Sequence, residues 1–195
     1  MAARREIDDG PDAFRRAVAA LRAATPRGEV VLQETPAPTR LAPHAMAMTA
    51  DVVVADEELA TGRLVLLHDP AGHEAWQGTF RLVTYVRADL EPEIAADPLL
   101  PGVGWAWLTE ALAAHGAAFI AESGTVTRVI SESFGAMSPQ PGSAQIEIRA
   151  SWTPVDDALG AHLLAWCELL GTTGGLPPLP AGVTALPTRR ASRPV

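Results

Sequence analysis

The sequence has no lysine, no asparagine and only one cysteine, Cys167. A single thiol excludes an internal disulfide and any zinc site built from several cysteines, and it is typical of a reducing compartment. Apolar runs fall well short of the roughly 18 residues that span a bilayer, and the charged N-terminus does not resemble a secretory signal. We therefore expect a cytoplasmic protein that does not associate with membranes.

Common catalytic motifs are also missing. There is no G-x-S-x-G or S-x-x-K pattern, and without lysine there is no Walker motif. Cys167 lies in an apolar helical run, where a thiol behaves as a small buried hydrophobe. We therefore expect no cofactor, no metal and no catalytic residues.

The net charge of −8 is unevenly distributed along the chain. Residues 1–27 carry +2, residues 28–188 carry −13, and residues 189–195 carry +3. An acidic body repels phosphate backbones and so lacks the electrostatic attraction behind most nucleic-acid binding. We predict no direct nucleic-acid binding by the core, which leaves only Arg189, Arg190 and Arg193 as a route to RNA.

The length of 195 residues with 48% hydrophobic residues fits one domain plus tails. We expect a disordered lead-in over 1–11, a single domain over 12–170, and a flexible Pro- and Gly-rich tail over 171–195.

Hydrophobic periodicity predicts three helices and about six strands. The helices begin at Asp12 as N-cap, at Gly104, and near Asp156 or Asp157. The strands cover 29–34, 45–54, 63–67, 79–87, 125–134 and 145–152, with 56–58 as a loop. The order α-β-β-β-β-α-β-β-α predicts an α+β fold, an antiparallel sheet with helices mainly on one face.

The 68–78 connection between the third and fourth strands concentrates the candidate site residues. It holds His68, Asp69, His73 and Glu74, and Arg81 follows in the next strand. Histidines and carboxylates can hold zinc or manganese, but this spacing matches no strict motif, and turns are commonly rich in Asp and His. These residues could instead surround a cleft that binds a small ligand.

Two tryptophans complete the set of candidate binding residues. Trp107 points away from the apolar stripe that contains Trp105, and Trp76 lies in the 68–78 connection. Exposed tryptophan is enriched at interfaces, whereas a long loop over a sheet also needs a large side chain to pin it. Both interpretations stay open for Trp76 and Trp107.

Three long strings carry a resemblance to a known family: 62–70, GRLVLLHDP; 74–93, EAWQGTFRLVTYVRADLEPE; and 100–112, LPGVGWAWLTEAL. Together with RLAP at 40–43 and RASWT at 149–153, they resemble the actinobacterial family known as domain of unknown function 3000. The resemblance covers roughly residues 12–170. It implies no activity, cofactor or catalytic residue, and only hints at an RNA-processing neighbourhood, through genes near a ribonuclease-D-like exonuclease.

These observations favour a non-catalytic protein that binds another protein, as an adaptor or regulatory module. The basis is the acidic body, the missing catalytic motifs, the two candidate tryptophans and the flexible tail. One alternative is a small-ligand binder or enzyme that uses the 68–78 connection. Another is an accessory factor in RNA processing.

Overall fold

A computed structural model describes residues 10–137, 142–156 and 159–178. Its helices are α1 (Asp12–Ala23), α2 (Pro92–Ala96), α3 (Leu100–Ala114) and α4 (Leu159–Thr173). Its strands are β1 (Val30–Thr35), β2 (His44–Val54), β3 (Glu57–His73), β4 (Gly78–Leu90), β5 (Phe119–Ser131) and β6 (Ser143–Pro154).

The six described strands form one sheet in the order β1-β2-β3-β4-β6-β5, with every neighbouring pair antiparallel. The predicted α+β class and the predicted element order are confirmed, with the short helix α2 as the addition. Strands β5 and β6 follow each other in the chain but lie in the reverse order in the sheet. Strand β6 pairs with β4, and β5 is an edge strand.

Helices α1, α3 and α4 cover one face of the sheet, which we call the covered face. Alternate strand residues meet them there, among them Leu66, Leu82, Ile148 and Trp152, all 1% exposed or less. From the helices come Phe14, Leu108 and Trp166, equally buried. This single core accounts for most of the buried apolar surface, which is the main stabilising contribution in folding.

The hairpin between β2 and β3 is tighter than predicted. Val54 pairs with Glu57, so only Ala55 and Asp56 form the turn, both with positive φ of 51° and 67°. Two consecutive positive φ values are the signature of a type I′ turn, whose twist suits a two-residue hairpin. The prediction of a loop over 56–58 was therefore wrong, because Glu57 and Glu58 already belong to β3.

The 68–78 connection is also shorter than predicted. Strand β3 continues to His73 with an irregular register after His68, and a single 3-10 turn at Glu74–Trp76 leads into β4. Gln77 closes that turn in the left-handed region, with φ of 55°.

Helix boundaries differ from the prediction at two places and agree with it at a third. Asp12 is the first residue of α1 and Pro11 occupies the cap position, without a side-chain cap. Helix α3 begins at Leu100, four residues before the predicted Gly104. Gly116 follows α3 with φ of 64°, and the bonds Gly116 N–H to Ala113 O and Ala117 N–H to Leu112 O complete a Schellman motif, as expected of a C′ glycine.

The packed chain extends past residue 170, the predicted end of the domain. Helix α4 runs to Thr173, Leu176 packs on the core, and Arg27 donates a hydrogen bond to the Pro177 carbonyl at 3.0 Å. Residues 1–9 of the predicted lead-in and 179–195 of the predicted tail lie outside the described residues.

Candidate binding groove on the open face of the sheet

The second face of the sheet has no helix over it among the described elements, and we call it the open face. A groove of about 520 Å³ crosses it from β3 over β4 and β6 to β5. Its lining residues are Arg63, Val65, Val83, Thr84, Tyr85, Ser123, Gly124, Thr125, Arg149, Ala150 and Ser151. This volume lies within the range typical of ligand sites.

Strand register explains why residues far apart in sequence meet in this groove. Arg63 pairs with Tyr85, Tyr85 with Arg149, and Arg149 with Thr125, which gives one row across four strands. The adjacent row, two residues along each strand, consists of Val65, Val83, Ser151 and Ser123. The groove therefore has an apolar end on β3 and β4 and a hydroxyl-rich end on β6 and β5.

Arginine is concentrated on the open face. Residues 28–188 contain six arginines, and four of them, Arg63, Arg81, Arg87 and Arg149, lie on this face of β3, β4 and β6. The groove lining includes two of these and no acidic side chain. Glu147 and Asp89 lie on the same face but outside the groove lining, so arginine supplies the charge of the groove itself.

Arg81 is the most buried of these arginines, at 6% exposed. Its Nη1 donates to the Ala121 carbonyl at 2.8 Å and to Thr153 Oγ1 at 3.1 Å, and its Nη2 donates to Ser151 Oγ at 2.7 Å and to Ser123 Oγ at 3.2 Å. Burial lowers the pKa of Arg81, and the charge of Glu122 opposes that shift. The guanidinium nevertheless stays charged, because its ordinary pKa is far above neutrality.

Tyr85, Glu147 and Arg149 form a small polar cluster at the rim. The Tyr85 hydroxyl donates to Glu147 Oε1 at 2.9 Å, and Arg149 Nη1 lies 2.7 Å from Glu147 Oε2. The Arg149 guanidinium also lies over the Tyr85 ring, 4.9 Å from its centre, in cation–π geometry. The hydrogen bond from Tyr85 lowers the pKa of Glu147, while burial raises the pKa of Tyr85.

One part of the open face is covered by loop segments of the protein. Ala37, Ala42 and Trp76 pack on a second apolar cluster made by Ala47, Val65 and Leu67. The β3 segment over 63–67 is therefore covered on one face by the helices and on the other by residues 36–43 and Trp76.

The structure separates His68 from Arg81, two of the sequence-predicted site residues. His68 pairs with Phe80 and Leu67 with Arg81, so the His68 and Arg81 side chains lie on opposite faces of the sheet. His68 is 3% exposed and stacks on Phe80 with ring centres 4.2 Å apart, and its Nδ1 is 3.0 Å from the Thr79 carbonyl. Burial lowers the pKa of His68.

Two other residues of the 68–78 connection, Asp69 and His73, form hydrogen bonds within the connection itself. Asp69 Oδ1 accepts from Ala71 N–H at 3.0 Å, and His73 Nδ1 accepts from Ala75 N–H at 3.2 Å. Glu74 and His73 are exposed, with the His73 ring stacked on Trp76. Within the described residues, no three His, Cys, Asp or Glu side chains converge as metal ligands.

Trp76 and Trp107 are both half-buried, on opposite faces of the sheet. Trp76 packs over the second cluster on the open face, and Thr153 donates to its carbonyl oxygen at 2.6 Å. Trp107 packs against the main core from α3. Cys167 is buried in α4, and burial raises the pKa of its thiol to about 12.

The sequence-based candidates included Arg81, which donates to Ser123 and Ser151 of the groove, but none of the residues that line it. The alternation of residues in two strands does indicate a polar face. Arg81, Tyr85 and Arg87 share one face of β4, and Arg149 and Ser151 share the polar face of β6. What the sequence did not supply is the strand order that sets β6 beside β4. Arg189, Arg190 and Arg193 lie outside the described residues.

The described helices are all too short or too polar to cross a membrane. Comparison with curated proteins and with solved structures finds no match. Residues 10–184, most of the chain, match the family described as "Protein of unknown function (DUF3000)", and the chain belongs to that family.

Proposed function

We propose that this protein is a non-catalytic binding module that holds an acidic segment of a partner protein in the groove of its open face. The observation that carries this proposal is the lining of the groove, which includes Arg63 and Arg149 and no acidic side chain, on an otherwise acidic body. Complementary charge steers association and suppresses wrong partners, so this face selects acidic chains.

The composition of the groove supports a peptide-like occupant. Val65, Val83 and the Tyr85 ring offer apolar contact, while the hydroxyls of Ser123, Thr125 and Ser151 offer hydrogen bonds. Protein interfaces combine such apolar and polar contacts and are enriched in Tyr and Arg.

The test is selection of random peptides by the full-length protein. We expect the selected peptides to be rich in Asp and Glu, and to bind at least tenfold more weakly to the charge-reversed variant Arg63→Glu/Arg149→Glu. The matched control is Arg16→Glu/Arg22→Glu, which changes the net charge equally but on the exposed side of α1. Circular dichroism checks that both variants fold.

Selected peptides that lack acidic residues, or that bind both variants alike, would contradict the proposal. A selection that yields no peptide dependent on the groove would also contradict it.

A further inference from the structure

Ser123 and Ser151 lie at the hydroxyl-rich end of the groove, directly against the buried Arg81 guanidinium. Both hydroxyl oxygens accept from Arg81 Nη2, at 3.2 and 2.7 Å, and they lie 3.3 Å from each other. Each serine oxygen is therefore occupied as an acceptor on its Arg81 side. Its own proton is free to be donated elsewhere.

The two hydroxyl protons cannot both be used within the pair. Either serine can donate to the other, which leaves at least one hydroxyl proton without a partner in the pair, on a residue that lines the groove. The two Nη groups carry four hydrogens, and the structure gives these groups four acceptors. Arg81 therefore has no Nη hydrogen left for the usual bidentate hydrogen bond to a carboxylate. It can influence a ligand only through its charge and through the two serine hydroxyls that it binds.

The charge of Arg81 is uncompensated. All four acceptors are neutral oxygens, and none of the carboxylates in the described residues lies within ion-pair distance of it. Glu122 acts on it only through its longer-range field and is itself exposed. A buried cation surrounded by neutral dipoles stabilises an anion placed next to those dipoles.

We infer that the Ser123–Ser151 hydroxyl pair, backed by the buried Arg81 charge, is the carboxylate-binding point of the groove, and that it takes an Asp or Glu side chain of the bound segment. This assignment rests on the function proposed above. One buried positive charge matches a monoanionic carboxylate better than a dianionic phosphate. Ser123 lies on the edge strand β5, so a bound chain can continue past the edge of the sheet, and the carboxylate can belong to a side chain within it.

The probe is the tightest fluorescein-labelled peptide from the selection, with each Asp or Glu replaced in turn by Asn or Gln. We expect one such replacement to weaken binding to the native protein by about tenfold or more, the effect of losing a hydrogen bond to a charged group. In the Ser123→Ala/Ser151→Ala variant, the same replacement should have no further effect. The control Thr127→Ala/Ser131→Ala removes two exposed hydroxyls of β5 away from Arg81 and should behave like the native protein.

Several outcomes would overturn the assignment. Equal losses for every replacement in native and variant proteins, a requirement for phosphoserine, or a loss on C-terminal amidation alone would each do so. If peptides depend on Arg63 and Arg149 but not on Ser123 and Ser151, the proposed function stands and the carboxylate assignment alone fails. If no peptide depends on the groove, both fail together. Melting temperatures of all variants separate lost binding from lost folding.

Discussion

Alternate residues of the same strands build the covered face and the open face, and Ile148 and Arg149 on β6 show how far the two diverge. Ile148 is fully buried under the helices, whereas Arg149 is exposed and lies over Tyr85. The covered face is almost wholly apolar, and the open face gathers charges, hydroxyls and one groove. The difference indicates that stability comes mainly from one face and recognition from the other.

The largest expected effect on stability comes from comparing Ile148 on the covered face with its neighbour Arg149 on the open face. Ile148→Ala should lower the free energy of unfolding by about 2–5 kcal/mol, because it leaves a cavity in the core. Arg149→Ala should change it by no more than about 1 kcal/mol, since Arg149 is exposed where it forms its ion pair with Glu147 and its cation–π contact with Tyr85. Urea unfolding measures both. Similar losses for the two variants would show that the open face is part of the stabilising core.

The fold could be predicted because the two faces leave a clear pattern in the sequence. In β2 and β4 apolar and polar residues alternate, and in α1 the helical spacing of Phe14, Val18 and Leu21 matches the residues that are buried. The first part of β3 escaped prediction because residues 57–62, EELATG, lack β-branched and aromatic residues except Thr61. Pairing with β2 on one side and β4 on the other overrides that weak propensity.

The groove could not be predicted, because it depends on long-range strand order. Its residues come from β3, β4, β5 and β6, and they meet only because β6 inserts between β4 and β5. The sequence directed attention instead to the 68–78 connection, where His and Asp residues stand close together. The structure uses Asp69 and His73 for hydrogen bonds within the turn and buries His68 on the covered face.

A second prediction concerns the titratable His162 on the covered face, which is fully buried. Burial lowers the pKa of His162 from 6.5 to about 4, so the folded protein binds this proton less readily than the unfolded chain. Above pH 6.5, His162 is neutral in both states and does not lower the free energy of unfolding. As the pH falls below 6.5, the free energy of unfolding decreases by about 1.4 kcal/mol per pH unit, and by about 3 kcal/mol in total at pH 4.

His162→Gln is the control for this pH dependence, because glutamine does not titrate. The difference in unfolding free energy between native protein and variant should narrow steadily from pH 6.5 to 4. Contributions from His68, which also has a lowered pKa, cancel in that difference. Parallel curves for the two proteins would mean that His162 is not buried in its neutral form.

A third prediction asks whether the open face contributes any stability at all. Arg81 ties β4 to β6 and to the irregular stretch of β5 at Ala121, so Arg81→Met should cost about 2 kcal/mol. The matched change Arg63→Met removes only one exposed hydrogen bond, to the Pro36 carbonyl, and should cost within about 0.5 kcal/mol. Urea unfolding at neutral pH compares them. Equal stability of the two variants would leave Arg81 with a purely ligand-directed role.

The smallest effect distinguishes two fully buried tryptophans of the covered face, Trp152 and Trp166. Trp152 Nε1 donates to His162 Nδ1 at 3.1 Å, whereas Trp166 Nε1 is buried with no hydrogen-bond partner among the described residues. Trp152→Phe and Trp166→Phe remove the same volume from fully buried sites, so their cavity costs are comparable.

The remaining difference between these variants is the hydrogen bond. Trp152→Phe breaks it and leaves the acceptor His162 Nδ1 buried, while Trp166→Phe removes a donor that has nothing to donate to. Trp152→Phe should therefore be the less stable of the two by about 1 kcal/mol in urea unfolding. An equal or larger loss in Trp166→Phe would show that the indole of Trp166 has an acceptor in solution, such as a buried water molecule. The covered face would then hold a second buried polar contact besides the Trp152–His162 hydrogen bond.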